Sequence, residues 1–209
     1  MTRCGHRGAL AVVNLLFATS NPHKLEEVRA ILGSRLEVVG LDSLERLPPE
    51  PVEDGVTFAQ NATIKAQAYA RATGRRCLAE DSGLEVDALG GAPGVHSARF
   101  AGTSGSRAER DRANNAKLIE LMTQVPPERR AARFVCAMCV ADPDGTIVAT
   151  AEGYFPGRIT VEPRGENGFG YDPLLYLPEL SCTSAELLPA EKNARSHRAQ
   201  AARKLVLLL

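Results

Sequence analysis

The 209-residue sequence predicts an α/β protein, a mixed β-sheet with helices packed on it, and three observations carry that prediction. Apolar runs and helix-period stretches alternate through the first half of the chain. Strand-like segments cluster in the second half. No internal repeat or low-complexity linker divides the chain, so one domain of two lobes is expected over residues 12–209.

The first apolar run, Val12 to Ala18, has the length of a buried strand and stops at turn-forming residues. Leu25, Val28, Ile31 and Leu32 then repeat at helical spacing. Asn21 suits the N-cap, and Pro22 suits the first helical position, where a missing N–H is harmless. Thr19, Ser20 and Asn21 therefore fall at the positive end of a helix dipole, where unpartnered N–H groups hold anions, and Lys24 adds a positive charge. The segment matches neither GxxxxGK[ST] nor GxGxxG. Taken alone, it reads more readily as a capped helix with a solvated lysine.

"RLEVVGL" follows as a short strand, and "ERLPPEPVEDG" as a proline-rich loop. Thr57 and Gln60 form a capping box that opens an alanine-rich helix closed by Gly74. "CLAE" is a strand, "DSG" a turn, "LEV" a second short strand, and "LGGAPGVHSARFAG" a glycine-rich loop. A charged helix is expected from about Arg107 to Met122, then strands at "ARFVCAMCVA" and "TIVATAEGYF". The last third holds "GRITVEP", the loop "RGENGFGYDP", the apolar "LLYLP" and a terminal helix after Ser196.

Twenty-five basic residues balance 25 acidic ones, which argues against a surface built for nucleic acid or anionic lipid. No apolar run reaches the ~18 residues that span a bilayer. Five cysteines without regular spacing suggest reduced thiols and a cytoplasmic protein. Cys136 and Cys139 form a CxxC inside a strand pattern, where residues three apart point to opposite faces, so shared metal ligation is not expected. The first residues faintly mimic a secretory leader, but Asn14 interrupts the apolar stretch and cleavage would sever the first strand from its turn. Residues 1–11 are read as a loose extension.

Acidic residues beside glycine mark candidate chemistry: Glu53 in "VEDGVTF", and Glu80 with Asp81 in "LAEDSGLEV". Mg²⁺ prefers carboxylate oxygens and keeps several waters, so one or two such side chains plus a substrate phosphate complete its shell. Asn61 and Lys65 lie four apart on one helix face just after the Glu53 loop, where the lysine could neutralise phosphate charge. Phe169, flanked by glycines and followed by Gly170, Tyr171 and Asp172, offers a platform for a flat base or, alternatively, a core plug at a turn. In "AEKNARSHRAQA", Lys192 precedes a helix whose first turn carries His197 and Arg198. Cations there oppose the helix dipole, which suggests a bound partner.

Together the segments "TSNPHK", "EDGVTFAQNATIKA", "EDSGLEVDALGGAPGVHSARFAG", "GFGYDP" and "EKNARSHRAQA" resemble one family, the inosine/xanthosine triphosphate pyrophosphatases (the Ham1 or RdgB family), in order and spacing. The resemblance runs from about Leu15 to the C-terminus. It implies an elongated mixed sheet flanked by helices, two lobes with an active-site cleft between them, and a homodimer. It also implies that Thr19, Ser20, Asn21, Pro22, His23 and Lys24 grip a triphosphate. Glu53 and Asp81 would serve Mg²⁺, Asp81 would accept the proton of the attacking water, and Ser82 and Lys65 would contact substrate. Phe169 to Asp172, Lys192, His197 and Arg198 would bind the nucleotide, chiefly its base. The implied activity is hydrolysis of deaminated purine nucleoside triphosphates to monophosphate and pyrophosphate. Two departures stand out: Glu80 replaces the usual aspartate, and residues 1 to about 12 precede the usual start. A non-catalytic nucleotide-binding module and a Maf-type nucleotide pyrophosphatase are the competing readings.

Overall fold

The computed structural model describes residues 14–33 and 36–209, so the proposed extension at residues 1–11 lies outside the described residues. One seven-stranded mixed sheet runs through the molecule in the order β2-β1-β3-β4-β5-β6-β7. Strand β1 (Asn14–Phe17) lies parallel to β2 (Glu37–Gly40) and β3 (Cys77–Val86). Strands β4 (Ala131–Ala141), β5 (Ile147–Ile159), β6 (Leu175–Leu177) and β7 (Cys182–Thr183) continue it antiparallel. Alternation in β1 serves both faces. Leu15 and Phe17 join the core under α1 (Pro22–Leu32) and α5 (His197–Val206), whereas Leu16 joins the core under α2 (Phe58–Thr73). Ala62, Ala66 and Ala70 let α2 lie close against the sheet. A third core, at the other end, packs Leu118 and Met122 of α3 (Arg107–Thr123) with Leu84, Phe134 and Phe155. Among the described residues no helix is long and apolar enough to cross a membrane.

Several local expectations hold. Asn21 caps α1 with Pro22 in its first turn, and Gly74 closes α2 in the left-handed region at φ 65°. Cys136 and Cys139 face opposite cores, as period-2 geometry requires, and both are free thiols.

Others are corrected. Residues Asp81, Ser82 and Gly83 form no turn: β3 passes straight through them, paired with Ala137, Cys136 and Val135 of β4. The long antiparallel ladder overrides the local turn preference of these small polar residues. Glycine is required at position 83 for another reason. A Cβ there would strike Ser97 Oγ and lie 2.8 Å from the Gly94 carbonyl oxygen, because the 3-10 turn Gly94–Arg99 rests directly on the strand. Ser97 Oγ accepts the Leu84 N–H at 2.9 Å in that crossing. Glu80 and Asp81 are consequently mid-strand residues, not residues at the end of an element. The capping box at α2 is only half formed: Thr57 accepts the Gln60 N–H, but Gln60 Oε1 reaches past the cap to the Val56 N–H at 2.8 Å. Finally, β5 absorbs "GRI" of "GRITVEP", and a short helix, α4 (Pro189–Arg195), precedes α5.

Candidate active site

The turn after β1 is built by its own polar side chains. Thr19 Oγ1 accepts the Asn21 N–H at 3.2 Å, and Asn21 Oδ1 accepts the His23 N–H at 3.1 Å. Thr19, Ser20, Asn21 and Lys24 line a cleft of about 310 Å³. Pro22 sets the first turn of α1 and lies away from the cleft wall. His23 is not among the cleft-lining residues either; its ring stacks on Phe169, which is, at 5.5 Å between centroids and 16° between planes.

From α2, Asn61 ties two acidic segments together. Its Nδ2 donates to Asp81 Oδ2 at 3.0 Å, while its Oδ1 accepts the Gly55 N–H at 2.8 Å beside the Glu53 loop. One turn further on, Lys65 Nζ lies 2.9 Å from Glu53 Oε1 and donates to the Glu80 carbonyl at 3.2 Å. The expected pairing of Asn61 and Lys65 on one face thus brings Glu53, Lys65 and Asp81 into one corner.

Adjacent residues on a strand point to opposite faces, and Glu80 and Asp81 use this to occupy different electrostatic worlds. Glu80 is fully buried. Arg198 grips it with Nε to Oε2 at 2.8 Å and Nη2 to Oε1 at 2.7 Å, and Lys24 Nζ lies 3.1 Å from Oε1. Burial alone would raise its pKa, but the charges of Arg198 and Lys24 and their hydrogen bonds outweigh it and hold the carboxyl well below the usual range. Asp81 shifts the other way. Desolvation, reinforced by Glu53, prevails over Lys24, Lys65 and the Asn61 hydrogen bond, so its pKa is raised.

Arg198, 1% exposed, and Lys192, 4% exposed, explain the cations near the start of the last helix. Their immediate partners are internal carboxylates, not the bound ligand that the unfavourable dipole alone suggests. Arg198 Nη1 also pairs with Glu27, and Lys192 Nζ lies 3.1 Å from Glu27 Oε1 and 2.6 Å from Asp172 Oδ2. Glu27 went unnoticed in the sequence. Its position three residues after Lys24, on the same face of α1, is the signal that could have found it.

The Phe169 loop is held by Asp172 and Tyr171. Asp172 Oδ2 accepts the Phe169 N–H at 2.9 Å and Oδ1 accepts the Ser184 hydroxyl at 2.8 Å; buried Tyr171 donates its hydroxyl to the Ser97 carbonyl at 2.8 Å. Asp111 of α3 accepts the Gly170 N–H at 3.1 Å. Lys192 Nζ and the Arg198 guanidinium lie 5.0 and 5.8 Å from the Phe169 ring centre. Ser82 takes a 3.2 Å hydrogen bond from Arg198 Nη2 and also lines the cleft. His197 is buried against Phe134 at 5.0 Å, and its Nδ1 has no hydrogen-bond partner. Desolvation, with Arg198 and Lys192 close by, pushes its pKa well below the ordinary value, so the imidazole is neutral.

The Ham1 family profile matches residues 15–208. A Pseudomonas aeruginosa protein named dITP/XTP pyrophosphatase is 47% identical over 188 residues, covering 90% of this chain and 92% of its own. Among solved structures, the Mycobacterium abscessus nucleoside-triphosphatase / dITP/XTP pyrophosphatase is 43% identical with a TM-score of 0.73, covering 94% of this chain and 99% of that one. A HAM1 protein from Coxiella burnetii is 36% identical with a TM-score of 0.83, over 94% and 98% of the two chains. With a profile match over nearly its whole length and relatives this similar, the chain belongs to the Ham1 family.

Proposed function

We propose that this protein hydrolyses deaminated purine nucleoside triphosphates (ITP, dITP and XTP) to the monophosphate and pyrophosphate, which keeps those nucleotides out of DNA and RNA. The observation that carries the reading is the pair Glu80 and Asp81. Asp81 lines the cleft together with the phosphate-type turn and the aromatic Phe169 loop, whereas its neighbour Glu80 is buried out of the cleft lining and clamped by Arg198 and Lys24, and the two pKa values are displaced in opposite directions. Geometry separates their roles: Glu80 is spent on the Arg198 and Lys24 cations that clamp it, and Asp81, which reaches the cleft, is the acid placed to exchange a proton.

In this mechanism the Thr19–Lys24 turn and Lys65 hold and orient the phosphate chain as the α-phosphorus is attacked. Asp81 accepts the proton of the attacking water, held in place by Asn61. Glu80, Arg198, Glu27 and Lys192 lock the cleft floor and the Phe169 loop to α1 and α5. Glu53 and Asp81 fit Mg²⁺ by donor type: both offer hard oxygens, and the buried charge of Asp81, further disfavoured by Glu53, favours a cation beside it. These two residues would hold the ion together with phosphate oxygens. When bound, Mg²⁺ supplies polarisation of the phosphate and a more acidic water.

Base choice follows from donors left over in a buried site. Of the five N–H groups of the Arg198 guanidinium, four are taken by Glu80, Glu27 and Ser82, leaving one on Nη1. That N–H and the neutral His197 face a 6-oxo group as donors, whereas the 6-amino group of adenine would meet them donor to donor. Phe169 supplies stacking that every base shares. The same reading makes the protein a cytoplasmic homodimer that acts on free nucleotides, in accord with its free cysteines and balanced charge.

The test is pyrophosphate release with Mg²⁺ across ITP, dITP, XTP, GTP and ATP. The expected kcat/KM for the deaminated set exceeds that for ATP by about 10²-fold or more. Absence of release from every nucleotide would favour the non-catalytic binding module, and a preference for other bases would favour a Maf-type enzyme.

A further inference from the structure

Of the cationic side chains that line the cleft, Lys24, Lys65, Lys192 and Arg198 are already ion-paired with Glu80, Glu53, Asp172 or Glu27. Arg99 and Arg107 line the same cleft, are exposed, and make no ion pair or side-chain hydrogen bond among the described residues. They come from elements other than the Thr19–Lys24 turn, namely the 3-10 turn Gly94–Arg99 and the first turn of α3.

These two elements are held rigidly. Asn114 of α3 accepts the Ala101 N–H at 2.7 Å and donates to the Ser97 carbonyl at 3.2 Å, which joins the two segments. Ser97 is pinned to β3 at Leu84, and Asp111 pins α3 to Gly170. Two unpaired guanidinium groups therefore project from fixed backbone toward a cleft whose other cations are neutralised. Arg107 also opens a helix, where its charge opposes the dipole and a nearby anion would relieve the conflict.

Resting on the function proposed above, we propose that Arg99 and Arg107 form a second phosphate-binding pair in the same cleft that meets the β- and γ-phosphates, and hence the pyrophosphate product. The paired lysines orient the chain; the two arginines supply the uncompensated charge that a polyphosphate needs. Guanidinium suits this task because its planar donors bind phosphate oxygens two at a time.

The experiment uses inorganic tripolyphosphate, which has no base and requires no turnover, titrated calorimetrically into the full-length protein. Arg99→Gln and Arg107→Gln should each raise its Kd by roughly tenfold, and the double variant by about 100-fold. Affinity for inosine monophosphate should be unchanged, and Arg112→Gln, an exposed charge on α3 away from the cleft, should bind tripolyphosphate like wild type. Wild-type tripolyphosphate affinity in the double variant, an equal loss in Arg112→Gln, or an equal loss of monophosphate affinity would each overturn the assignment. Arginine-dependent tripolyphosphate binding without ITP hydrolysis would leave the second phosphate site standing and remove the proposed activity.

Discussion

Asp81→Asn lowers kcat for ITP by about 10³-fold or more while the protein stays folded, because the substitution keeps the shape and the Asn61 contact but removes the proton acceptor. Its stability signature is as diagnostic as its rate. The folded-state pKa of Asp81 is raised above the ordinary 3.8, so folding disfavours its ionised form. The ionised carboxylate therefore subtracts from stability once the pH exceeds the unfolded value, and the penalty vanishes as the pH falls below it. In chelator at neutral pH, urea unfolding should show Asp81→Asn at least as stable as wild type, with the two curves converging in acid. A variant that is destabilised at neutral pH yet retains turnover would make Asp81 a structural residue.

The neighbouring substitution should do the reverse. Glu80→Gln removes the carboxylate that holds Arg198 by two nitrogens and Lys24 by a third contact, leaving buried cations under-compensated at a cost of about 3–5 kcal/mol. Replacing both members of the pair, as Glu80→Gln with Arg198→Met, should recover much of that loss, since a buried ion pair is often no better than a well-packed apolar one. The pH dependence carries the opposite sign to that of Asp81. Glu80 and Glu27 have depressed pKa values, so their contribution is full above the ordinary carboxylate value of 4.5 and is lost as the pH falls toward their folded-state values. Wild type should lose stability more steeply in that acid range than Glu80→Gln, measured by denaturant titration. Equal acid slopes would mean that Glu80 is not the centre of the network.

The legible parts of the fold were those whose cause is local. The strand-turn-helix at Asn14 to Leu32, the cap at Asn21, the glycine stop at Gly74 and the face shared by Asn61 and Lys65 follow from side chains a few residues apart. What escaped depended on partners far along the chain. "DSG" looks like a turn until β4 offers a ladder residue for residue, and the glycine at 83 matters because Ser97 crosses over it. The charges of Lys192 and Arg198 read as locally unfavourable, but apart from Asp172, 20 residues before Lys192, the carboxylates that answer them lie on β3 and α1, more than 100 residues away in sequence. The place of Glu80 was open for the same reason: its role comes from Arg198, and no spacing rule links the two. Arg99 and Arg107 resemble ordinary solvated charges until the cleft surrounds them.

The central claim is that water attacks the α-phosphorus of a deaminated purine triphosphate. Hydrolysis of ITP with Mg²⁺ in ¹⁸O-labelled water, followed by mass analysis of the products, tests it most directly. The account predicts inosine monophosphate carrying one labelled oxygen, together with unlabelled pyrophosphate. Label in the pyrophosphate, or release of labelled orthophosphate with inosine diphosphate, would contradict it.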